Sequence, residues 1–166
     1  IKVRLLNRES SQIDGTFLMN RLKQALEYRR RMLPGQSCFR LINAESDGIS
    51  GLIVDCYQDA TLFQITSAGI ERLKGELIDT LISLLKPRVL IERNDVANRQ
   101  FEGLEPIKHV HVCDTDQEGL ERFPVTLHGV HYELNLISGN KTGLYLDQVT
   151  NHQKLTHWLN GYRDAR

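Results

Sequence analysis

The chain has 166 residues, 40% hydrophobic and 25% charged, the composition of an ordinary globular protein with material for one or two small cores, which excludes a disordered chain. Its 21 Lys+Arg are matched by 21 Asp+Glu, so net charge gives no support to a nucleic-acid partner, and any basic surface has to come from arrangement. No apolar run approaches the roughly 18 residues of a membrane span, and the start, Ile1 to Ser10, lacks the charged, apolar, small-residue order of a signal peptide.

In chain order, Ile1, Val3 and Leu5 alternate with Lys2 and Arg4 and predict a short strand, followed by a polar linker over 7–14. A helix is predicted from about Thr16 to Leu33, with Leu18, Leu22, Ala25 and Leu26 on its apolar stripe and Pro34-Gly35 ending it. Arg29 falls inside that stripe and predicts a carboxylate partner or a point where the helix leaves the core. Phe39 to Ala44, Gly51 to Tyr57 and Thr61 to Ser67 read as a three-strand meander. Ile70, Leu73, Leu77, Ile78, Leu81, Leu84 and Leu85 then recur at helical spacing until Pro87.

Val89 to Glu92 predicts a further strand, 94–106 an irregular stretch or short helix, and Val110 to Cys113 another brief strand. From Phe123 the alternation is strict on both sides of His128-Gly129, which predicts a hairpin ending near Leu136. A glycine-containing loop over 138–143 leads to a last helix from about Asp147 to Asn160. Both termini read as cut, so the chain reads as a fragment.

Gly139-Asn140-Lys141-Thr142-Gly143 joins glycines, a lysine and a threonine but lacks the Gly directly before Lys and the upstream Gly that a phosphate-binding loop requires. His109 and His111 would share one face of a strand, yet no further ligand is in register for a metal, and they read as surface histidines. The three cysteines show no CxxC spacing, which argues against a disulfide framework and for a reducing cytoplasm. Cys38 and Cys56 lie in apolar strand patterns and read as core thiols; Cys113 stays open. Glu92-Arg93-Asn94-Asp95 reads either as a solvated, salt-linked turn or as a functional group at a strand end.

Three segments carry a family resemblance: Arg40 to Asp55 (RLINAESDGISGLIVD), Ile91 to Asp95 with Phe101-Glu102-Gly103-Leu104, and Lys141 to Gln148 (KTGLYLDQ). In order, spacing and linking helices they resemble the bacterial large-subunit ribosomal RNA cytosine-C5 methyltransferases, which run as a PUA domain, a central α/β domain and a Rossmann-like domain. The resemblance implies an α+β fold: a small central domain with an antiparallel sheet and two helices, then a β-hairpin and helix leading into a Rossmann-like methyltransferase domain outside this chain. It implies a division into 1–13, the end of the PUA domain and linker; 14–122, the central domain; and 123–166, the lead-in to the methyltransferase domain.

It further implies S-adenosyl-L-methionine as cofactor, ribosomal RNA as partner, no membrane and a cytoplasmic location; the oligomeric state is open, a homodimer included. Thr142, Tyr145 and Gln148 have the chemistry of a cofactor-flanking wall, with Lys141 available to an anionic group. The alternative is that Tyr145 and Leu146 only pack the last helix. Arg40, Arg93 and Lys141 are the candidates for RNA backbone contact.

The family's nucleophilic cysteine attacks C6 of an unstacked cytosine before methyl transfer to C5. That cysteine and the glycine-rich cofactor loop fall later in the family's chain, so no catalytic residue is expected here. The chain departs from the pattern at Val149 and His152, where the family carries arginines, at Cys56 for a common arginine and at Asn94 for a common serine. Two other readings are a non-catalytic RNA-binding module and a methyltransferase for a different base, guanine N7 among them.

Overall fold

The computed structural model describes residues 3–8, 12–139, 142–148 and, beyond these, Asn151, Lys154, Leu155, Trp158 and Leu159. Helix α1 spans Gly15–Met32; Asp14 caps it by accepting from the Phe17 amide at 3.0 Å, satisfying one of the unpaired donors of the first turn. Strands β1 (Cys38–Asn43), β2 (Leu52–Tyr57) and β3 (Ala60–Ile65) form the expected antiparallel meander.

The next helix is interrupted. A single turn, α2 (Ala68–Glu71), precedes α3 (Lys74–Leu85), which closes on Lys86 in the left-handed conformation just before Pro87. This α2–α3 crossover returns β4 (Val89–Asn94) parallel to β3, because a connection of this length can carry the chain back to the same end of the sheet. The sheet is therefore mixed rather than purely antiparallel, in the order β1-β2-β3-β4-β5, with β5 (Ile107–Cys113) antiparallel to β4.

A short helix the sequence reading lacks, α4 (Gln117–Glu121), leads to the hairpin β6 (Phe123–Leu127) and β7 (Val130–Leu134). His128 and Gly129, at φ 52° and 78°, make the two-residue turn with both central residues left-handed, the turn whose twist matches paired strands. The expected N-terminal strand is not found among residues 3–8, and Ile1 and Lys2 lie outside the described residues. Of the final helix, the described residues from Asn151 to Leu159 are helical.

Two cores share the sheet. On one face α1 and α3 bury Leu18, Leu22, Leu77 and Leu81 against Leu41, Val54, Phe63 and Leu90. On the other, the hairpin supplies Val125, Leu127 and Leu134, with Leu120 and Leu136, over Cys38, Tyr57, Leu62, Val89 and Ile91. The alternation of each strand thus feeds both cores. Arg29, the intruder in the α1 stripe, donates to Asp47 at 2.7 Å and to the Arg40 carbonyl at 2.8 Å, the carboxylate pairing its position predicts.

Candidate functional site

On β2, Asp55 and Tyr57 point to the hairpin face. Asp55 is fully buried, a charge that needs partners. Its cross-strand neighbour Arg40 supplies a bidentate pair, Nε to Oδ1 at 2.8 Å and Nη2 to Oδ2 at 2.9 Å, in the fork geometry that suits a carboxylate. Thr142, 3% exposed, donates its hydroxyl to Asp55 Oδ2. Tyr57 donates to the Leu144 carbonyl at 3.2 Å. Burial, and after it the Asp55 charge, push the Tyr57 phenol upward, so it stays a proton donor.

Gly143 lies between these contacts at φ +130°, and a Cβ on it would come within 2.9 Å of the Tyr57 hydroxyl. Residues 142–144 are therefore seated on β2 by two side chains and one glycine. The chain then turns outward. Tyr145 is 52% exposed, Gln148 is exposed, and a 3-10 turn over Leu146–Gln148 fixes their spacing, the Gln148 amide donating to the Tyr145 carbonyl at 3.0 Å. Leu144 and Leu146 pack inward against the hairpin-side core. Gln148 also accepts from Asn151 Nδ2 at 2.8 Å.

The predicted site residues divide accordingly. Tyr145 and Gln148 are both exposed; the Thr142 hydroxyl is committed to Asp55; Lys141 lies outside the described residues, as do Val149 and His152. Arg40 keeps 38% of its side chain exposed while clamped to Asp55. Arg93 is 3% exposed and donates to Asp95 and to the Leu136 and Gly139 carbonyls, so it fastens the end of β4 to the chain approaching Thr142. Sequence reasoning missed Asp55 and Tyr57, although an acid at an inward position of an apolar strand was a usable signal.

Glu92, Arg93 and Asn94 are all buried within β4, which corrects the reading of a solvated turn. The strand pleat divides them: Arg93 serves the hairpin face, while Glu92 meets Lys74 at 3.1 Å, Asn94 at 2.5 Å and His111 at 3.0 Å toward the other side. Arg99, 1% exposed, joins Glu71 at 3.0 Å and the Ile65 and Glu105 carbonyls. Burial raises the Glu71 carboxyl, but Lys74 and Arg99 outweigh it and hold the group below its usual range. Among the described residues no group of three His, Cys, Asp or Glu is placed to hold a metal. The rings of exposed His109 and half-buried His111 instead meet edge-on at 4.6 Å. Cys38 and Cys56 are buried core thiols, as expected, and Cys113 is exposed. No described helix is long and apolar enough to cross a membrane.

The fold is shared with solved structures of candidate S-adenosylmethionine-dependent methyltransferases. One, from Streptococcus mutans, superposes with a TM-score of 0.74 at 18% identity, covering 91% of this chain and 38% of its own. Another, solved with S-adenosylhomocysteine, gives 0.74 at 19% identity over 91% of this chain and 37% of its own. In sequence the homologues of the chain are ribosomal RNA large subunit methyltransferases I. The Pseudoalteromonas translucida protein of that name is 38% identical over 84% of this chain and 35% of its own length, and the Alteromonas mediterranea protein 33% identical over 95% and 40%. The Vibrio cholerae protein is 35% identical over 89% and 37%. The chain thus spans about two fifths or less of the relatives it matches. No family model matches it.

Proposed function

We propose that the chain is part of an S-adenosylmethionine-dependent methyltransferase that modifies C5 of a cytosine in large-subunit ribosomal RNA in the cytoplasm. The homologues carry the enzyme class, and one arrangement supports the local role: Thr142, Gly143 and Leu144 are pinned to Asp55 and Tyr57 while Tyr145 and Gln148 face outward. A wall beside a cofactor needs a rigid base and an exposed aromatic and amide surface. Tyr145 supplies the ring, Gln148 the amide, and Lys141 a cation for an anionic group. The cofactor supplies the electrophilic methyl; the residues of this chain orient it.

In this reading 14–122 form the central unit and 123–166 the lead-in to the methyltransferase domain, with residues 1–13 leaving a preceding RNA-binding domain. The central unit presents RNA to the catalytic domain, and residues 1–166 by themselves do not turn over. The test is mass spectrometry of ribosomal RNA from cells lacking the gene. The expected result is loss of one 5-methylcytidine, restored by the full-length protein. An unchanged modification profile overturns the enzymatic reading in favour of an RNA-binding module, and loss of a different methyl group overturns the target base.

A further inference from the structure

The neutral total conceals an uneven distribution. Helix α1 holds five basic residues, Arg21, Lys23, Arg29, Arg30 and Arg31, against one acid, Glu27. Removing these from 21 of each leaves 16 basic and 20 acidic residues elsewhere, so the helix is a positive element on an otherwise acidic chain. Three of its arginines occupy the last turn. One cation there complements the partial negative charge of a helix C-terminus, and Arg29, bound to Asp47, already stands in that position.

Arg30 and Arg31 are different. Both are exposed, and among the described residues neither has a carboxylate partner; Arg31 lies over the Tyr28 ring at 5.7 Å. Tyr28 and Met32 beside them are 47% and 56% exposed. Two adjacent like charges with no counterion among the described residues, next to an exposed aromatic ring, do not stabilise the fold. They suit a polyanion with stackable bases.

Arg30 also stands on the edge of a cleft where the end of α1 meets the β2–β3 turn and the end of α3. Leu26, Phe39 and Leu84 give it apolar walls; Gln36 and Gln58 add amides at its edge. The carboxylate in its lining, Asp59, is bound by Arg88 at 3.2 Å, which lowers its repulsion of an anion. Its volume, about 240 Å³, lies below the roughly 300–1,000 Å³ of sites that bury a drug-sized ligand. It therefore suits one flat ring rather than an extended molecule.

We propose that the C-terminal end of α1 is a docking site for single-stranded RNA, with Arg30 and Arg31 on successive phosphates and the neighbouring cleft receiving one unstacked base. The inference rests on the RNA-methyltransferase reading and places the RNA on the helix side of the sheet, away from Arg93.

The experiment uses the full-length protein and protein-free large-subunit ribosomal RNA, comparing wild type, R30Q/R31Q and a control, R72Q, which removes one charge from an exposed arginine outside the patch. The double variant is expected to bind RNA at least ten-fold more weakly and to flatten the log Kd against log salt slope by about 1.4, from roughly 0.7 per phosphate contact on a single strand. Its KM for RNA rises while kcat at saturating RNA holds, and R72Q matches wild type. Unchanged affinity and slope in R30Q/R31Q, or an equal effect from R72Q, overturns the site. Wild-type methylation with an indifferent double variant sinks this inference alone, whereas a wild type that neither binds nor methylates RNA sinks the functional reading with it.

Discussion

Replacing Asp55 by alanine withdraws one acceptor from two donors that differ in their access to water. Thr142 is 3% exposed, so its hydroxyl is left unsatisfied, at a cost of about 1–3 kcal/mol. Breaking a fully buried ion pair costs roughly 3–5 kcal/mol, but the Arg40 side chain is 38% exposed and can turn to solvent, so its share is much smaller. The expected loss is about 2–3 kcal/mol, or roughly 5–10 °C in Tm for a chain of this size. Urea unfolding of D55A, T142V and the double variant measures how far the two residues act together, and a coupling of about 1–2 kcal/mol is expected. Stability changes that add within about 0.5 kcal/mol would show that Asp55 does not anchor the 142–148 segment. A D55A protein as stable as wild type would remove the physical basis of the proposed wall.

Four further outcomes follow from the same geometry. G143A should lose about 2 kcal/mol, from a strained positive φ and a Cβ facing Tyr57, and Y57F should restore part of that loss in unfolding experiments; no rescue would place the strain elsewhere. Stability should hold at neutral pH and fall below about pH 4.5, because Glu71 and Asp95 both titrate lower in the folded protein than in the unfolded chain. E71Q should shallow that acid limb, and an identical limb refutes the assignment. Under native conditions a disulfide reagent should modify Cys113 alone, since burial, then the Asp55 charge, push Cys56 up to about 12 and burial raises Cys38; three rapidly reacting thiols would contradict the core. Truncation after Arg122 should give an aggregating or partly folded product, because it strips the cover from Cys38, Tyr57, Leu62, Val89 and Ile91. Burial of such side chains contributes roughly 1.5–3 kcal/mol each, together comparable with the roughly 5–15 kcal/mol stability of a whole domain; a cooperative unfolding transition from the truncated chain would refute this.

The elements with a clean period were legible in the sequence. The α1 stripe, the meander and the hairpin with its His128-Gly129 turn stand within a residue or two of where alternation and turn chemistry put them. What periodicity could not give was strand direction. Val89 to Asn94 reads the same parallel or antiparallel, and its parallel pairing with β3 depends on where the α2–α3 crossover delivers it. The break at Arg72 and Leu73 was hidden for a related reason: the apolar spacing continues through it and no Gly or Pro marks it, while Glu71, Lys74 and Arg99 pair beside it.

The site shows the same division between local and distant causes. The resemblance singled out the segment from Lys141, and in the folded chain Tyr145 and Gln148 are exposed. Which residues hold it was not visible, because Asp55 and Thr142 lie 87 positions apart and only the register of β1 on β2 brings Arg40 to complete the pair. The fate of Arg93 illustrates the converse. Read alone, the charged run after an apolar strand suggests a solvated turn; in the folded chain the donors of Arg93 close on the Leu136 and Gly139 carbonyls, ahead of Thr142. A buried arginine can still govern function, by setting the position of the loop it supports, and then its loss would appear first in stability and only through the loop in cofactor affinity.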